Sequence, residues 1–414
     1  MHIRLTVTAA IAACGLLAAA PALAGPGAAP AEHDRQGQDR AEHRALHPEN
    51  TSGDEPGPIA PPAPLYGRST QTLMASWQVA PGVDFRRWSQ TDARGPIVAN
   101  LLTIDPKTPG LKIDYASMGA VRRTAPVPTI LAQDHAIAGV NGDFYDIGHT
   151  GAPLGLGLDR QLGLLHARQD GWNNAFYLDH RGRADIGDLP MTAKIRFHRD
   201  LTVTNLNSPF VTPGGIGIYT HRWGRTAGYG VTQGQRQHVR QVTVEHDRVV
   251  MNRRKLSEGK DIAQMVIIGR GDSAAQLRRE LPVGTKVSVR RALEGDPQMA
   301  ISGNHFLVHD GIIRVVDDSE MHPRTAIGID SDTGEVLLLV VDGRSSRSRG
   351  YTMVELANLM IDLGADEAVN LDGGGSSTMV GRRGTRTKVI NQPSDGFLRW
   401  VANAVEVTYT PPKS

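Results

Sequence analysis

Residues 336–373 read VLLLVVDGRSSRSRGYTMVELANLMIDLGADEAVNLDG, in which a helical pattern separates two apolar runs. The first run, Val336–Val341, is wholly apolar, which is typical of a strand that is buried on both faces. The second run, Ala368–Leu371, is shorter, and each run is followed by Asp-Gly. Strand, helix and strand at this spacing predict a βαβ unit, whose strands run parallel with a right-handed crossover.

The helical pattern between the two runs has recognisable start and stop signals. Thr352 and Glu355 have the spacing of a capping box, in which each residue satisfies a backbone N–H of the other. Apolar residues recur on one helical face as far as Leu363. Gly364 follows, where a glycine commonly ends a helix. The pattern predicts a helix over residues 352–363.

The rest of the chain predicts one large domain over residues 65–414. The chain has 414 residues, of which 40% are hydrophobic and 21% are charged, as in a globular protein with a sizeable core. Short polar–apolar alternations between turns predict strands through most of residues 66–300, with one helix at 273–281. The predicted class is α/β (α+β), a mixed β-sheet with flanking helices that includes the C-terminal βαβ unit.

The N-terminus has the pattern of a secretory signal peptide. Arg4 precedes an apolar run, and Ala22-Leu23-Ala24 offers small residues for cleavage after Ala24. We therefore expect a signal peptide at 1–24 and a secreted, extracellular protein. A membrane anchor and a lipoprotein signal ending at Cys14, the only cysteine, fit the run less well. Residues 25–64 are rich in Pro, Ala, Gly and charged residues, which predicts a disordered linker.

Charge and motif spacing argue against several functional classes. The formal net charge of +2 gives no reason to expect nucleic-acid binding. No apolar stretch after the N-terminal one is long enough to span a bilayer. The fifteen histidines lack metal-ligand spacing, so no cofactor and no catalytic metal are predicted, although the carboxylates could hold a structural Ca²⁺.

Two acidic residues stand at the ends of the predicted parallel strands. Asp342 and Asp372 each follow a buried strand and precede a glycine. In sheets of parallel strands, ligands bind outside the carboxyl ends of the strands. We therefore expect both carboxyl groups at one edge of a cleft, where core packing alone does not explain them.

A loop rich in glycines and hydroxyls follows the second strand. Its glycines, residues 373–375, permit positive φ angles and a close approach of the backbone to an anion. The hydroxyl residues 376–378 add donors. The loop is not a Walker A loop, since no Gly-Lys-Ser/Thr follows. A flexible turn is the alternative, but a plain turn needs only one or two special residues.

Two further segments carry polar candidates. Arg324 precedes the strand that we expect to pair with Val336–Val341, and its guanidinium could hold a phosphate or carboxylate in a bidentate manner. The alternative is an ordinary surface arginine. The segment Asn141–Asp146 follows a short apolar run, and its two aromatics beside Asp143 and Asp146 suit a sugar ring. An Asx-type turn with buried aromatics fits the same residues.

Taken in order, several segments resemble the phosphodiester glycosidase family, whose type member is N-acetylglucosamine-1-phosphodiester α-N-acetylglucosaminidase. The resemblance runs from about residue 95 to 410, and the segments are 141–146, 213–220, 324–328, 341–344, the helix at 352–364 and, as the most specific, 370–379. Two segments depart from the family pattern. Asp143 and Tyr145 stand where the family usually has Gly and Phe, and Ser302–His305 stands in place of a glycine-rich turn.

The resemblance implies a secreted hydrolase that cleaves the glycosidic bond of a sugar-1-phosphodiester. The sugar would be N-acetylglucosamine-like and carried on a cell-wall or exopolysaccharide phosphate. Asp372, Asp342 and Asp143, in that order, are candidates for the carboxylate that activates water or stabilises an oxocarbenium-like centre, with Arg324 for the departing phosphate. The predicted substrate-binding residues are Asn141, Gly142, Asn370, Gly373, Gly374, Gly375, Ser376, Ser377 and Thr378. The alternatives are a non-catalytic binder of anionic wall or capsule glycans and, less favoured without a metal site, a phosphodiesterase.

Overall fold

Three β-sheets pack around a shared core in the computed structural model, which describes residues 51–53, 55–62, 69–198 and 200–412. The predicted signal peptide at 1–24 and the greater part of the predicted linker lie outside these residues. Within the described residues, the strands form sheets of eight, ten and five strands and three separate pairs, while helices are few. The chain is therefore mostly β-sheet, and α+β describes it better than α/β.

Sheet A contains, in spatial order, β1 (Thr70–Ala80), β2 (Val83–Asp92), β3 (Gly95–Ile104), β24 (Glu335–Val341), β23 (Arg324–Asp330), β25 (Glu367–Leu371), β21 (His305–His309) and β22 (Ile312–Ile313). Sheet B contains β10 (Ala184–Asp188), β9 (Asn174–Leu178), β20 (Met299–Ser302), β7 (Gly157–Asp159), β8 (Gly163–Arg168), β12 (Val203–Leu206), β13 (Ile216–Thr220), β18 (Met265–Arg270), β15 (Val239–Glu245) and β16 (Arg248–Arg253). Sheet C contains β27 (Arg386–Val389), β26 (Met379–Arg383), β6 (Ala138–Asn141), β29 (Asn403–Tyr409) and β4 (Leu111–Ser117).

The strand pairs are β11 (Met191–Ile195) with β19 (Val289–Leu293), β14 (Arg225–Ala227) with β17 (Glu258–Asp261), and β5 (Ala125–Pro126) with β28 (Trp400–Val401). The described α-helices are α1 (Val127–Leu131), α2 (Asp272–Glu280) and α3 (Met353–Asp362), with 3₁₀ turns at His221–Trp223, Gly230–Thr232 and Gly374–Ser376. None of these helices has the length and apolar character that crossing a bilayer would require.

Sheet A holds the segment on which the fold prediction is based. The strands β24 and β25 run in the same direction, and α3 lies between them in the chain. They are not neighbours, however, because β23 lies between them and pairs antiparallel with both. Every pairing in sheet A is antiparallel, whereas β12 and β13 in sheet B pair in parallel. The predicted βαβ unit is thus corrected to a split unit into which β23 is inserted.

Helix α3 forms where the capping and apolar patterns place it. Thr352 Oγ1 accepts from the Glu355 N–H at 3.2 Å, and the Glu355 carboxylate accepts from the Thr352 N–H at 3.0 Å. The predicted capping box is confirmed, and Gly364 follows the helix with a φ of 97°. Leu356 and Met360 are fully buried against sheet A. Because such truncations leave a cavity, we expect Leu356→Ala to cost about 2–5 kcal/mol.

One apolar core runs through all three sheets. Its fully buried members include Leu102 and Leu371 from sheet A, Phe176 from sheet B, and Val140 and Val405 from sheet C. Burial of each such side chain stabilises the folded state by roughly 1.5–3 kcal/mol. The three sheets therefore form a single domain. Packing in their shared core sets the position at which the ends of β25 and β6 meet.

Residues 51–53 and 55–62, here called the N-terminal segment, pack on the domain. The Ser52 N–H donates to the Tyr145 carbonyl at 3.2 Å, and Ser52 Oγ accepts from the Tyr145 N–H at 3.1 Å. The far end of the segment hydrogen-bonds to the loop before β23. Its composition suggests a linker because large apolar residues are few, yet hydrogen bonds hold it in place. Residues 51–53 and 55–62 are therefore held against the domain, where the sequence predicts a disordered linker over 25–64.

Candidate active site

Sheets A and C meet at Asn141, the last residue of β6. Asn141 Nδ2 donates to the Asp372 carbonyl at 2.6 Å. Its Oδ1 accepts from the Thr378 N–H at 3.0 Å and from Thr325 Oγ1 at 2.9 Å. The side chain is fully buried. Asn141 thus lies in the predicted site, where its amide group joins the two sheets and fixes the strand ends on either side.

Asp372 follows β25 and carries an unsatisfied buried carboxyl group. Its N–H donates to the Gly142 carbonyl at 3.0 Å, which ties the end of β25 to the turn after β6. The residue is 1% exposed, and neither carboxyl oxygen has a hydrogen-bond partner among the described residues. Burial raises the pKa of Asp372 to about 7, although the hydroxyls of Ser376 and Ser52 offset part of the rise. An unsatisfied buried carboxyl costs stability, which is typical of a group kept for substrate or water.

Asp143, in the turn after β6, carries a second buried carboxyl group beside that of Asp372. Its Oδ2 accepts from the Gly155 N–H at 2.9 Å and from Ser302 Oγ at 3.0 Å. Its Oδ1 is buried and, in the part of the chain that the structure describes, has no partner. Burial raises the pKa of Asp143 well above its usual range, the two hydrogen bonds lower it in part, and the charge of Asp372 raises it further.

The Asp143–Asp372 pair has the properties of an acid–base pair. Two neighbouring carboxyl groups repel when both are ionised, so the pair tends to retain one proton near neutral pH. One member can then donate a proton or hydrogen bond while the other accepts a proton. The described ranges of the chain contain no cluster of three or more His, Cys, Asp or Glu side chains that could hold a metal ion.

Asp342 lies at the same edge of sheet A as Asp372, but one of its carboxyl oxygens is hydrogen-bonded and the other faces an arginine. Its Oδ1 accepts from Asn391 Nδ2 at 3.1 Å and from the Gln392 N–H at 3.0 Å, while Oδ2 lies 3.5 Å from Arg87 Nη2. Burial raises its pKa, and the two hydrogen bonds lower it in part. The two predicted strand-end carboxyls therefore share an edge, but Asp342 is engaged in holding the loop after β27.

The glycine loop, residues 373–378, is shaped by close contacts. Gly374 has a φ of 58°, in the left-handed region that favours glycine, and a Cβ on Gly375 would lie 2.1 Å from Asp395 Oδ2. Most of its amide groups donate within the protein, namely those of Gly374, Ser376, Ser377 and Thr378. The loop therefore brings other groups close together, and its own amides are largely unavailable to an anion.

The remaining predicted substrate-binding residues lie near the loop. A Cβ on Gly142 would meet Asn403 Oδ1 at 2.2 Å, so no side chain fits there. Asn370 Nδ2 donates to Asn304 Oδ1 at 2.7 Å. The Asn370 Oδ1 and Ser376 Oγ atoms are buried and lack a hydrogen-bond partner within the described residues. They join Asp143 Oδ1 and both Asp372 carboxyl oxygens among the buried polar atoms of the site that have no hydrogen-bond partner in the described residues.

Arg324 begins β23, as the sequence predicts, and its guanidinium contacts the backbone of neighbouring loops. Its Nε donates to the Tyr351 carbonyl at 2.8 Å, and its Nη2 donates to the Glu320 carbonyl at 3.2 Å. These contacts connect the loop before β23 to the loop before α3. The structure thus gives Arg324 a supporting position beside the site.

Two arginines that the sequence analysis did not select flank the glycine loop. A Cβ on Gly374 would lie 3.4 Å from Arg344 Nη2, and one on Gly375 would lie 2.3 Å from Arg399 Nη2. Arg399 Nε and Nη2 lie 2.9 and 2.8 Å from Asp395 Oδ2. Arg344 stands in a segment that carries the family resemblance, which could have indicated it. Arg399 lies in a long loop without a local pattern.

The aromatic pair after β6 is buried. Phe144 is 5% exposed and its ring centroid lies 5.5 Å from that of Trp172. Tyr145 is 2% exposed, and its hydroxyl donates to the Trp400 carbonyl at 2.7 Å. Of the two interpretations of this segment, the structure therefore supports a turn with buried aromatics, because neither ring offers an open face to a sugar.

Part of this chain matches a known protein family. Residues 217–408 match the phosphodiester glycosidase family. The match confirms the resemblance seen in the sequence and supports a hydrolase of the glycosidase type. It spans Asp342, Asp372, the glycine loop and both flanking arginines, whereas Asn141 and Asp143 precede it.

One protein is similar to part of this chain in sequence, and two solved structures share its fold. Over 88 residues, 21% of this chain, the sequence is 42% identical to the SPbeta prophage-derived uncharacterized protein YomE of Bacillus subtilis (strain 168). This stretch is only 13% of the B. subtilis protein. The structure is similar to that of a hypothetical protein from Synechocystis, with a TM-score of 0.65 and 21% identity over 80% of this chain and 63% of that chain. It is also similar to a candidate exported protein of Burkholderia pseudomallei K96243, with a TM-score of 0.65 and 19% identity over 86% of this chain and 99% of that chain.

The two departures from the phosphodiester glycosidase pattern meet in the structure. Asp143 stands where the family usually has Gly, and Ser302 belongs to the segment in place of a glycine-rich turn. Ser302 Oγ donates to Asp143 Oδ2 and accepts from the Leu156 N–H at 2.8 Å. The structure therefore pairs the Asp143 carboxyl group with the hydroxyl that holds it, a link that the separate motifs did not indicate.

Proposed function

We propose that this chain is an exported hydrolase that cleaves the glycosidic bond of a sugar-1-phosphodiester. The observation that carries the proposal is Asp372, a buried carboxyl group whose two oxygens have no hydrogen-bond partner among the described residues. Asp143 lies beside it as a second carboxyl, and Arg344 and Arg399 supply positive charge at the glycine loop. The family match supports glycosidase chemistry at this place.

In the proposed reaction, water attacks the anomeric carbon while the bond from that carbon to the phosphate oxygen breaks. The electron pair of the broken bond stays with the phosphate, and the sugar gains a hydroxyl group. A phosphate monoester is a good leaving group, so the reaction depends less on a general acid than ordinary glycoside hydrolysis does. The site must instead accept a proton from water and stabilise charge on the anomeric centre and the departing phosphate.

We assign the proton-accepting role to Asp372. Its pKa of about 7 leaves a large ionised fraction at neutral pH and makes it a stronger base than an exposed aspartate. Burial raises the pKa of Asp143 as well, and we assign it the protonated role in the pair, from which it can donate a hydrogen bond to a sugar hydroxyl or to Asp372. Two buried carboxyl groups in one site thus take different roles because their environments differ.

The proposed substrate is an N-acetylglucosamine-like sugar linked through phosphate to a cell-wall polymer or exopolysaccharide. The signal-peptide pattern supports export, as does the similarity to a candidate exported protein. We expect the secreted protein to begin at Gly25, which N-terminal sequencing would detect. Recovery of the uncleaved chain in the cytoplasm would contradict export.

A panel of sugar-1-phosphodiesters tests the activity. The full-length chain should release reducing sugar from at least one member, and Asp372→Asn with an unchanged circular dichroism spectrum should release none. Binding across the panel without turnover would instead indicate a non-catalytic protein for anionic glycans.

A further inference from the structure

Positive charge is concentrated in one part of the chain, although the formal net charge is only +2. Residues 191–300, which include the outer strands of sheet B and α2, contain 18 Lys and Arg but 9 Asp and Glu. The rest of the chain has more acidic than basic residues. The lysines and arginines of this region form a single ion pair within the part of the chain that the structure describes, Arg225–Asp261. The excess charge therefore creates a positive field at the outer end of sheet B.

Three arginines of this region, here called the arginine cluster, converge beside α2. They are Arg240 on β15, Arg254 after β16 and Arg278 in the last turn of α2. Gln241 pairs with Arg253, so the next step of the register places Arg254 opposite Arg240. Helix α2 packs against β15 and brings the charge of Arg278 close to that of Arg240. The cluster thus joins two strands and a helix at one edge of sheet B.

Arg240 is the buried member of the arginine cluster. The residue is 9% exposed, and its Nη1 donates to Asn252 Oδ1 at 2.5 Å. Asn252 Nδ2 in turn donates to the carbonyls of Leu277 and Leu281, at 2.9 and 2.7 Å. Asn252 therefore ties the end of α2 to β16 and fixes the Arg240 guanidinium between them.

The arginine cluster lacks a counter-charge. No carboxylate among the described residues forms an ion pair with any of its three members, and Asn252, the partner of Arg240, is neutral. Burial lowers the pKa of Arg240, and the positive charges of Arg278 and Arg254 lower it further. A buried cation beside like charges costs stability unless an anion joins it. Because guanidinium groups bind phosphate oxygens through paired N–H donors, the cluster fits a phosphate group supplied from outside the chain.

We propose that the arginine cluster binds phosphate groups of the polymer that carries the scissile sugar, as a second binding site outside the active site. The site rests on the cluster and its missing counter-charge, whereas the identity of the polymer rests on the proposed function.

The position of the arginine cluster suits a long anionic chain. Seven strand spacings separate β16 from β20, whose Ser302 contacts Asp143, and at about 4.8 Å per spacing this is roughly 34 Å along sheet B. A polymer of several phosphate repeats can contact both places at once. The cluster would then retain the polymer while its sugars are removed, because a second contact raises the local concentration of substrate at the first.

Binding of a polymer without a sugar-1-phosphodiester tests the site independently of turnover. The full-length chain is titrated against labelled, unsubstituted poly(glycerol phosphate) at low salt, and fluorescence anisotropy gives the Kd. Arg254→Gln combined with Arg278→Gln should raise the Kd at least about ten-fold, because two contacts with phosphate are lost. Both residues are exposed, so the fold should be retained, which circular dichroism checks.

The matched control removes the same charge elsewhere. Arg181→Gln combined with Arg386→Gln changes two exposed arginines outside residues 191–300 and should leave the Kd unchanged. An unchanged Kd in the cluster variant, or an equal rise in the control, would overturn the proposal. Tighter binding of single-stranded DNA than of poly(glycerol phosphate) at the same salt would assign the cluster to nucleic acid and reject it as well.

Hydrolysis of small and polymeric substrates separates this site from the proposed activity. The cluster variant should keep its kcat/KM on a small sugar-1-phosphodiester and raise KM only on the polymer. If the ten-fold rise in Kd appears but no substrate is hydrolysed, the polymer site stands and the proposed function fails. If substrates are hydrolysed while the cluster variant leaves both the Kd and the KM for polymer unchanged, the proposed function stands and this site is rejected.

Discussion

The ends of β24 and β25 share a local pattern, an apolar strand followed by Asp-Gly, yet their carboxyl groups differ in their surroundings. Asp342 accepts hydrogen bonds from Asn391 and Gln392 and lies near Arg87. The carboxyl oxygens of Asp372 accept none from the residues that the structure describes. Burial raises both pKa values. Hydrogen bonds and a facing cation, more than burial or position, therefore separate a supporting carboxyl group from one that is available for chemistry.

The largest effect should come from Asp372→Asn. The substitution keeps the size of the side chain but removes the group that accepts a proton, so kcat/KM should fall by roughly 10³–10⁴-fold. Steady-state release of reducing sugar measures this. Retention of more than a tenth of the activity in a folded variant would assign the chemistry to another residue.

Asp143→Asn should have the next largest effect. The Asn oxygen can still accept the hydrogen bonds from Gly155 and Ser302, but its NH2 group is a weaker hydrogen-bond donor than a carboxyl O–H, so kcat/KM should fall by about 10²-fold. Ser302→Ala is the companion variant and should have a smaller effect, because it only loosens Asp143. Steady-state kinetics of both variants test this. Full activity in Asp143→Asn would show that Asp372 acts without a contribution from Asp143.

The pH dependence should reflect the raised pKa of Asp372. A base must be ionised, so with a pKa of about 7 the kcat/KM should rise about fifty-fold between pH 5 and pH 7. Stability should change in the opposite direction. The unfolded state loses its Asp372 proton near pH 4 and the folded state near pH 7, so the free energy of unfolding falls across that window.

Kinetics and urea unfolding at several pH values measure both trends, and Asp372→Asn is the control in which this contribution to the stability slope should vanish. Activity that falls from pH 5 to pH 7 would show that Asp372 acts in its protonated form.

The smallest effect on catalysis should come from Asp342→Asn. The Asn oxygen can keep the hydrogen bonds from Asn391 and Gln392, and loss of the charge facing Arg87 is offset by relief of the burial that raises the pKa of Asp342. The free energy of unfolding should therefore change by less than about 1 kcal/mol, and kcat/KM by less than about ten-fold. Urea unfolding and kinetics on the same preparation check this. Unchanged stability together with lost activity would place Asp342 in the chemistry and remove the contrast with Asp372.

The features that were predictable from the sequence depend on neighbours in the chain. Helix α3 follows from a capping box and an apolar stripe that lie within a dozen residues. The shared edge of Asp342 and Asp372 follows from two strands of the same direction, and it holds although β23 separates them. Apolar periodicity shows that a strand exists, but it does not give the order of strands in a sheet.

The contacts that complete the site join distant parts of the chain. Asn141 reaches Asp372 across 231 positions, and Glu55 reaches Arg399 across 344 positions. Such pairs leave no local spacing, because they depend on how sheets A and C meet. The composition of residues 25–64 predicts a linker and therefore gave no indication of the contacts of Glu55. Ion pairs can hold a polar segment in place even when it has few large apolar residues. The family resemblance located the glycine loop, but it did not show which charges surround it.

Turnover in ¹⁸O-labelled water shows whether Asp372 directs water to the anomeric carbon of a sugar-1-phosphodiester. Mass spectrometry of both products should find the label in the new sugar hydroxyl, and Asp372→Asn should abolish its incorporation. Label in the phosphate product would mean that the P–O bond is cleaved, and the proposed glycosidase reaction would then be wrong.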